Sequence, residues 1–251
     1  AKEAGRNRLY VSGDNDVELS RRNGEMRQVS RITSAIENNR CELVFEDLAR
    51  VDDRETVAYR ELLVRMRDEG GQLLSPDQFI PAAERYFLAS ALDRWVVEHA
   101  LAYLAEHLEQ SPPVTAVNVS GQTIGGRSFI EFVRERLTHY KVPGARFCIE
   151  ITETSAISHL PETSRLVASL GEPVVQFARA DFGSWMSSFA YLKNLPVQFI
   201  KIDGSCCRLV LQRFMSTWRT SSRRRAALAD LGRRSARCTR SLVCRWEGRR
   251  S

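Results

Sequence analysis

The strongest constraint on this chain is the stretch from Val174 to Asp203, VVQFARADFGSWMSSFAYLKNLPVQFIKID. An apolar run, Val174 to Ala178, stops at Asp181-Phe182-Gly183. A second, Val197 to Ile200, stops at Lys201-Ile202-Asp203. The residues between carry a short helical pattern. Strand, helix and strand, with the polar groups at one end, make a βαβ unit. In parallel α/β folds the C-terminal strand ends are where chemistry collects.

The same alternation runs back along the chain. Glu42 to Phe45 is expected to form a strand. Asp52 to Glu55 is a turn and Val57 to Arg65 a second strand, a pair that can form an antiparallel hairpin. Ser75-Pro76-Asp77 starts a helix with Pro at its first position, carrying Phe79, Ile80 and Ala83 inward. Leu88 to Leu108 is a long helix, Val114 to Val119 a strand, Ser128 to His139 a helix, Arg146 to Thr152 a strand and Leu160 to Leu170 a helix. About six strands with helices between most of them fit a (β/α) barrel that stops early, since a full barrel has about eight. An open doubly wound sheet is the alternative. No G-x-G-x-x-G follows a strand, so dinucleotide binding has no support.

Upstream, Val17, Met26, Val29, Ile32 and Ile36 give Asp14 to Asn39 an amphipathic stripe, which Asn38-Asn39 ends. It is read first as a helix lying on the domain that follows, and second as a linker transmitting rotation. Downstream of Ser205 the texture changes. Residues 206–251 hold 13 arginines, no lysine and two acids, so the chain's net charge of +6 comes from this tail and residues 1–205 are net acidic. The basic pI is therefore not evidence for a nucleic-acid-binding fold, and no nucleic-acid partner is expected. The Arg/Ser/Ala/Cys/Trp mixture resembles an out-of-frame reading of a GC-rich gene, and a basic arm is the other reading. The six cysteines show no metal spacing and are expected to be free thiols in a reducing compartment. No apolar run approaches the ~18–20 residues of a membrane span. The first residues lack an apolar signal segment and an initiator Met, so Ala1 is expected to be a cut edge of something longer.

Polar residues recur at the ends of five successive strands: Glu61, Asn118, Glu150, Asp181, Lys201 and Asp203. Singly, each is more often a solvated or paired surface group, a loop-satisfying amide or a turn residue. Together they bring hard oxygen donors to one mouth, suited to Mg2+ or Mn2+. Two such ions can activate water against a phosphodiester. Lys201 can steady phosphate charge, and Arg65 can hold a phosphate oxygen with its fork.

These residues sit in blocks that resemble the EAL domain family, the bacterial cyclic-di-GMP phosphodiesterases. Glu61-Leu62-Leu63-Val64-Arg65 is similar to its E-A-L-L-R signature. SPDQFIPAAER, DRWVVEHAL, AVNVSGQTI, IEITET, DFGSWMSSFAYLKNLPV and KIDGS then follow in family order and spacing. AKEAGRNRLYV resembles the end of a GGDEF domain. The resemblance implies a fragment of a tandem GGDEF–EAL protein: residues 1–12 a GGDEF remnant, 13–39 a linker helix, 40–205 an EAL domain and 206–251 an unrelated, disordered or out-of-frame tail. It implies a TIM-like barrel with an antiparallel first strand, incomplete at about six of eight strands. It further implies a cytoplasmic, Mg2+- or Mn2+-dependent hydrolase cutting cyclic di-GMP to the linear dinucleotide. Glu61, Asn118, Glu150 and Asp181 fall at metal positions, Lys201 at the active-site lysine and Arg65 at a substrate-phosphate contact. Ser184 to Ser188 falls at a loop tied to metal binding and to homodimerisation.

The departures point to an impaired copy. Ala180 stands at the first Asp of the family's D-D-F-G and has no oxygen to offer. Trp185 replaces a small loop residue, Glu46-Asp47 stand where Gln-Pro is usual, and Leu62 replaces Ala. The family's later glutamates, one a metal ligand and one the proposed base, have no match after Ser205. Strand Gln198 to Ile202 is expected to become an open edge. The alternative function is a cyclic-di-GMP receptor that binds without cutting.

Overall fold

The computed structural model describes residues 26–49, 55–171, 174–182, 197–203 and 241–245. Strand β1 (Cys41–Ala49) folds back on β2 (Val57–Arg67) as an antiparallel hairpin, with Cys41 opposite Met66 and Glu46 opposite Glu61. A two-residue strand, β3 (Leu73–Leu74), also pairs with β2. Then β4 (Val114–Asn118), β5 (Phe147–Thr152), β6 (Gln176–Phe182) and β7 (Phe199–Asp203) add in parallel, in that order. The barrel-like order with an antiparallel first strand is thus present. Among the described residues the sheet does not close: its order runs from β1 at one edge to β8 (Ser241–Arg245) at the other.

The pleat sorts side chains to two faces. Leu62, Val117, Phe147, Ile149, Ile151, Phe177 and Ile200 meet the helices in one apolar core. The helices supply Val97, Leu101 and Leu104 from α3 (Ala89–His107), Phe129 and Val133 from α5 (Arg127–Tyr140), and Leu166 and Leu170 from α7 (Leu160–Leu170). Full burial of such a side chain contributes about 1.5–3 kcal/mol. The other face carries Tyr59, Val114, Ala116, Cys148, Ala178 and Phe199 as a smaller cluster beneath the polar residues. Gly171 turns the chain from α7 toward β6. A Cβ there would lie 2.5 Å from the Val167 carbonyl oxygen, so no larger residue fits unchanged.

Ahead of the sheet, residues 26–37 form helix α1, which ends at Asn38 and Asn39, the latter at φ 50°. Asparagine tolerates this left-handed backbone. Ile32 and Ala35 are fully buried against the main core, as expected of a helix lying on the next domain. Met26, placed on the inward stripe by periodicity, is 71% exposed. The helix expected from Ser75 divides into a 3-10 turn, Pro76–Gln78, and α2 (Ile80–Arg85), with Phe79 and Ala83 buried as expected.

One further expectation changes. The edge of β7 is not open, because β8 pairs antiparallel along it, Phe199 opposite Arg245 and Asp203 opposite Ser241. This strand comes from the tail, where periodicity gave no element; Ser-Leu-Val-Cys-Arg is too short a run to stand out. The helix expected between β6 and β7, residues 1–12, Trp185 and the Ser184 to Ser188 loop lie outside the described residues. No described helix is long and apolar enough to cross a membrane.

Candidate functional site

Alternation places Glu61 on the same face of β2 as Tyr59, two residues earlier. Asn118 ends β4, opposite Glu150 on β5, and Lys201 lies on β7. These four expected residues meet. Asn118 Nδ2 donates to Glu61 Oε1 at 2.7 Å. Lys201 Nζ donates to Glu61 Oε2 and, at 3.2 Å, to Glu150 Oε2. Glu61, Glu150 and Lys201 are all under one-tenth exposed.

The fifth member was not foreseen. Tyr59 OH donates to Glu150 Oε1 at 2.8 Å and lies 3.6 Å from Cys148 Sγ. Its ring meets Phe199 edge-on at 5.4 Å between centroids. Its sequence signal was available: it precedes Glu61 by two and so shares its face. Asp93, within α3, was also missed. It accepts from the Ser120 backbone N–H at 2.9 Å, Ser120 Oγ at 2.7 Å and Thr123 Oγ1 at 2.6 Å. It thereby pins the turn that follows Asn118. The Val119 N–H donates to the Glu150 carbonyl oxygen at 3.0 Å and ties the same turn to β5.

Arg65 lies four residues past Glu61 on β2, beyond the parallel pairing with β4, which ends at Leu62. It does not join the glutamate cluster; its Nη1 donates to the neighbouring Val64 carbonyl at 3.0 Å. Asp181 is the second-last residue of β6, next to Ala180. Asp203 ends β7.

Burial pushes the Glu150 carboxyl up from 4.5 to about 7, Glu61 adds to the rise, and Lys201 and the Tyr59 hydroxyl oppose it. Burial pulls Lys201 down, but Glu150 and Glu61 outweigh it and hold the ammonium above its ordinary value. Tyr59 is driven well up by burial first, then by Cys148 and Glu150. Burial likewise pushes the Cys148 thiol up. Two carboxylates thus share one fixed cation in a desolvated pocket.

Glu61, Asn118 and Glu150 have the hard-oxygen chemistry that Mg2+ or Mn2+ prefers. Their arrangement does not fit a metal site. Among the described residues no three His, Cys, Asp or Glu side chains come together to hold an ion. Lys201 Nζ lies between the two glutamates, and Ala180, 2% exposed on the neighbouring strand, supplies no ligand.

The EAL domain family model matches residues 29–230. Cyclic di-GMP phosphodiesterase PdeB of Shewanella oneidensis is 32% identical over 206 residues, covering 81% of this chain and 24% of that protein. Cyclic di-GMP phosphodiesterase PdeF of Escherichia coli is 32% identical over 188 residues, covering 74% of this chain and 25% of its own length. This chain thus spans about a quarter of either relative. Among solved structures, the FimX EAL domain of Pseudomonas aeruginosa bound to c-di-GMP superposes with a TM-score of 0.69 at 25% identity, over 82% of this chain and 90% of that one. The match takes in every strand from β1 to β7, and with them Glu61, Asn118, Glu150 and Lys201: the chain belongs to the EAL domain family.

Proposed function

We propose that this chain is the cyclic-di-GMP-recognising part of a longer EAL-type phosphodiesterase, with hydrolysis of cyclic di-GMP to linear pGpG impaired. The observation that carries this is the convergence of Glu61, Asn118, Glu150 and Lys201 on one face of the sheet, with an alanine at position 180 of the strand between. Arg65, on the same face of β2 and further out, is suited to hold a phosphate of the ligand. Binding of Mg2+ or Mn2+, the ions expected for the family, is weakened by the arrangement around Lys201. Removal of a catalytic base typically costs ~10²–10⁴-fold in rate, and no residue of this cluster is free to serve as one.

The test is incubation of the purified chain with cyclic di-GMP and Mn2+, with chromatography of the products. No linear dinucleotide above background is expected; ordinary turnover would overturn the impairment. A receptor that binds without cutting is the second reading. The FimX EAL domain, at 25% identity, was solved with c-di-GMP bound. Calorimetric titration separates the two, since heat without product favours the receptor.

The domain boundaries at residues 12, 39 and 205, the GGDEF remnant, the out-of-frame tail, a cytoplasmic location and a homodimer through Ser184 to Ser188 belong to the same proposal. Buried free thiols at Cys41 and Cys148 suit a reducing compartment.

A further inference from the structure

The two buried glutamates offer four carboxylate oxygens, and each has a donor from the protein itself. Asn118 takes Glu61 Oε1, Tyr59 takes Glu150 Oε1, and Lys201 takes Oε2 of both. Such complete satisfaction is what a buried polar cluster needs to persist. A dication entering here must break at least two of these bonds and come to rest beside a fixed ammonium, which repels it. We infer that Lys201 is a built-in replacement for a metal ion in this site, with Tyr59 and Asn118 saturating the oxygens it leaves. The chain's site is therefore complete without divalent cations, and its carboxylates are held in place by the protein alone.

Space for this arrangement comes from β6. That strand lies between β5 and β7, and its residues facing the site, Ala178 and Ala180, are buried and small. The Lys201 chain can therefore cross β6 to reach Glu150, and Glu61 beyond it.

The inference concerns the chain without nucleotide, so failure of cyclic-di-GMP binding would leave it standing. The experiment titrates Mn2+ into the full chain, reading free aquo-Mn2+ by electron paramagnetic resonance and melting by circular dichroism. The native chain is expected to leave the aquo signal at its buffer value and to melt at the same temperature with millimolar Mn2+ as without. Lys201→Met removes the ammonium and leaves two carboxylates facing each other. It is expected to take up Mn2+ near-stoichiometrically and to gain roughly 3–10 °C in melting temperature from it. Lys201→Gln, which keeps an amide donor without the charge, is the second variant and is expected to behave likewise. Uptake by the native chain overturns the inference. So does a folded pair of variants that both ignore Mn2+, the outcome of a lysine that merely stabilises the core. Variants that unfold must be refolded by Mn2+; failure to refold also overturns it.

Discussion

Tyr59→Phe isolates one bond of the cluster. The substitution removes a single oxygen and keeps the ring, so the edge-on contact with Phe199 at 5.4 Å remains. What is lost is the 2.8 Å bond to Glu150 Oε1, between residues that are 2% and 0% exposed. Water cannot readily replace the hydroxyl there. A hydrogen bond to a charged group contributes about 1.5–3 kcal/mol, a neutral one about 0.5–1.5. Glu150 changes between these two states near its raised value of about 7. The variant should therefore lose roughly 1.5–3 kcal/mol at a pH of about 8.5 and clearly less at about 5.5. In a chain of this size the larger loss lowers the melting temperature by roughly 3–12 °C. Urea unfolding of both chains at the two pH values measures it. A variant within about 0.5 kcal/mol of the native chain at both values would show that Tyr59 is packing alone and carries no bond to Glu150.

Two further outcomes follow from the same cluster. Because folding raises Glu150 from 4.5 to about 7, the folded state holds a proton that the unfolded chain releases, so this group's contribution is present below the lower value and is lost as pH rises through the higher. That loss is on the order of 3 kcal/mol and should vanish in Glu150→Gln; parallel stability–pH curves for the two chains would refute it. Ala180→Asp returns an oxygen donor to the strand between Glu150 and Lys201, but with Lys201 present it is expected to leave Mn2+ uptake at the native level, because the ammonium pairs with the new carboxylate. Uptake by the folded single variant would show that donor number, not the ammonium, keeps the ion out.

Much of this was legible before any coordinates. Asn118 closes an apolar run and does end β4, whereas Glu150 and Lys201, read as strand ends, lie inside β5 and β7 and reach the cluster because they share one face of the sheet. The parallel order followed from helices long enough to cross between strands. Tyr59 was legible only as a neighbour of Glu61 on one face of β2; that its hydroxyl reaches Glu150, two strands away, shows only in the folded sheet. Asp93 looked like one more acid on a mixed helix. Only the turn after β4, brought back over α3, shows that it satisfies three donors. β8 was missed because a five-residue strand in an arginine-rich tail has no repeating pattern to mark it, and its pairing with β7 is a long-range event.

The position of Lys201 has its physical cause one strand away. Glu150 faces Ala178 across the β5–β6 register, and Thr152 faces Ala180. A larger side chain at either alanine would stand in the path from β7 to β5. A carboxylate at 180 would instead compete for the same ammonium and leave three acids around one lysine. With alanines there, one ammonium serves two carboxylates; burial raises Glu150 toward neutrality and the Glu61 charge adds to the rise. The raised carboxyl, the bridging lysine and the silent strand are thus one electrostatic arrangement. The raised Glu150 carboxyl in this pocket follows from burial first and from the neighbouring Glu61 charge second, against the pull of Lys201 and Tyr59.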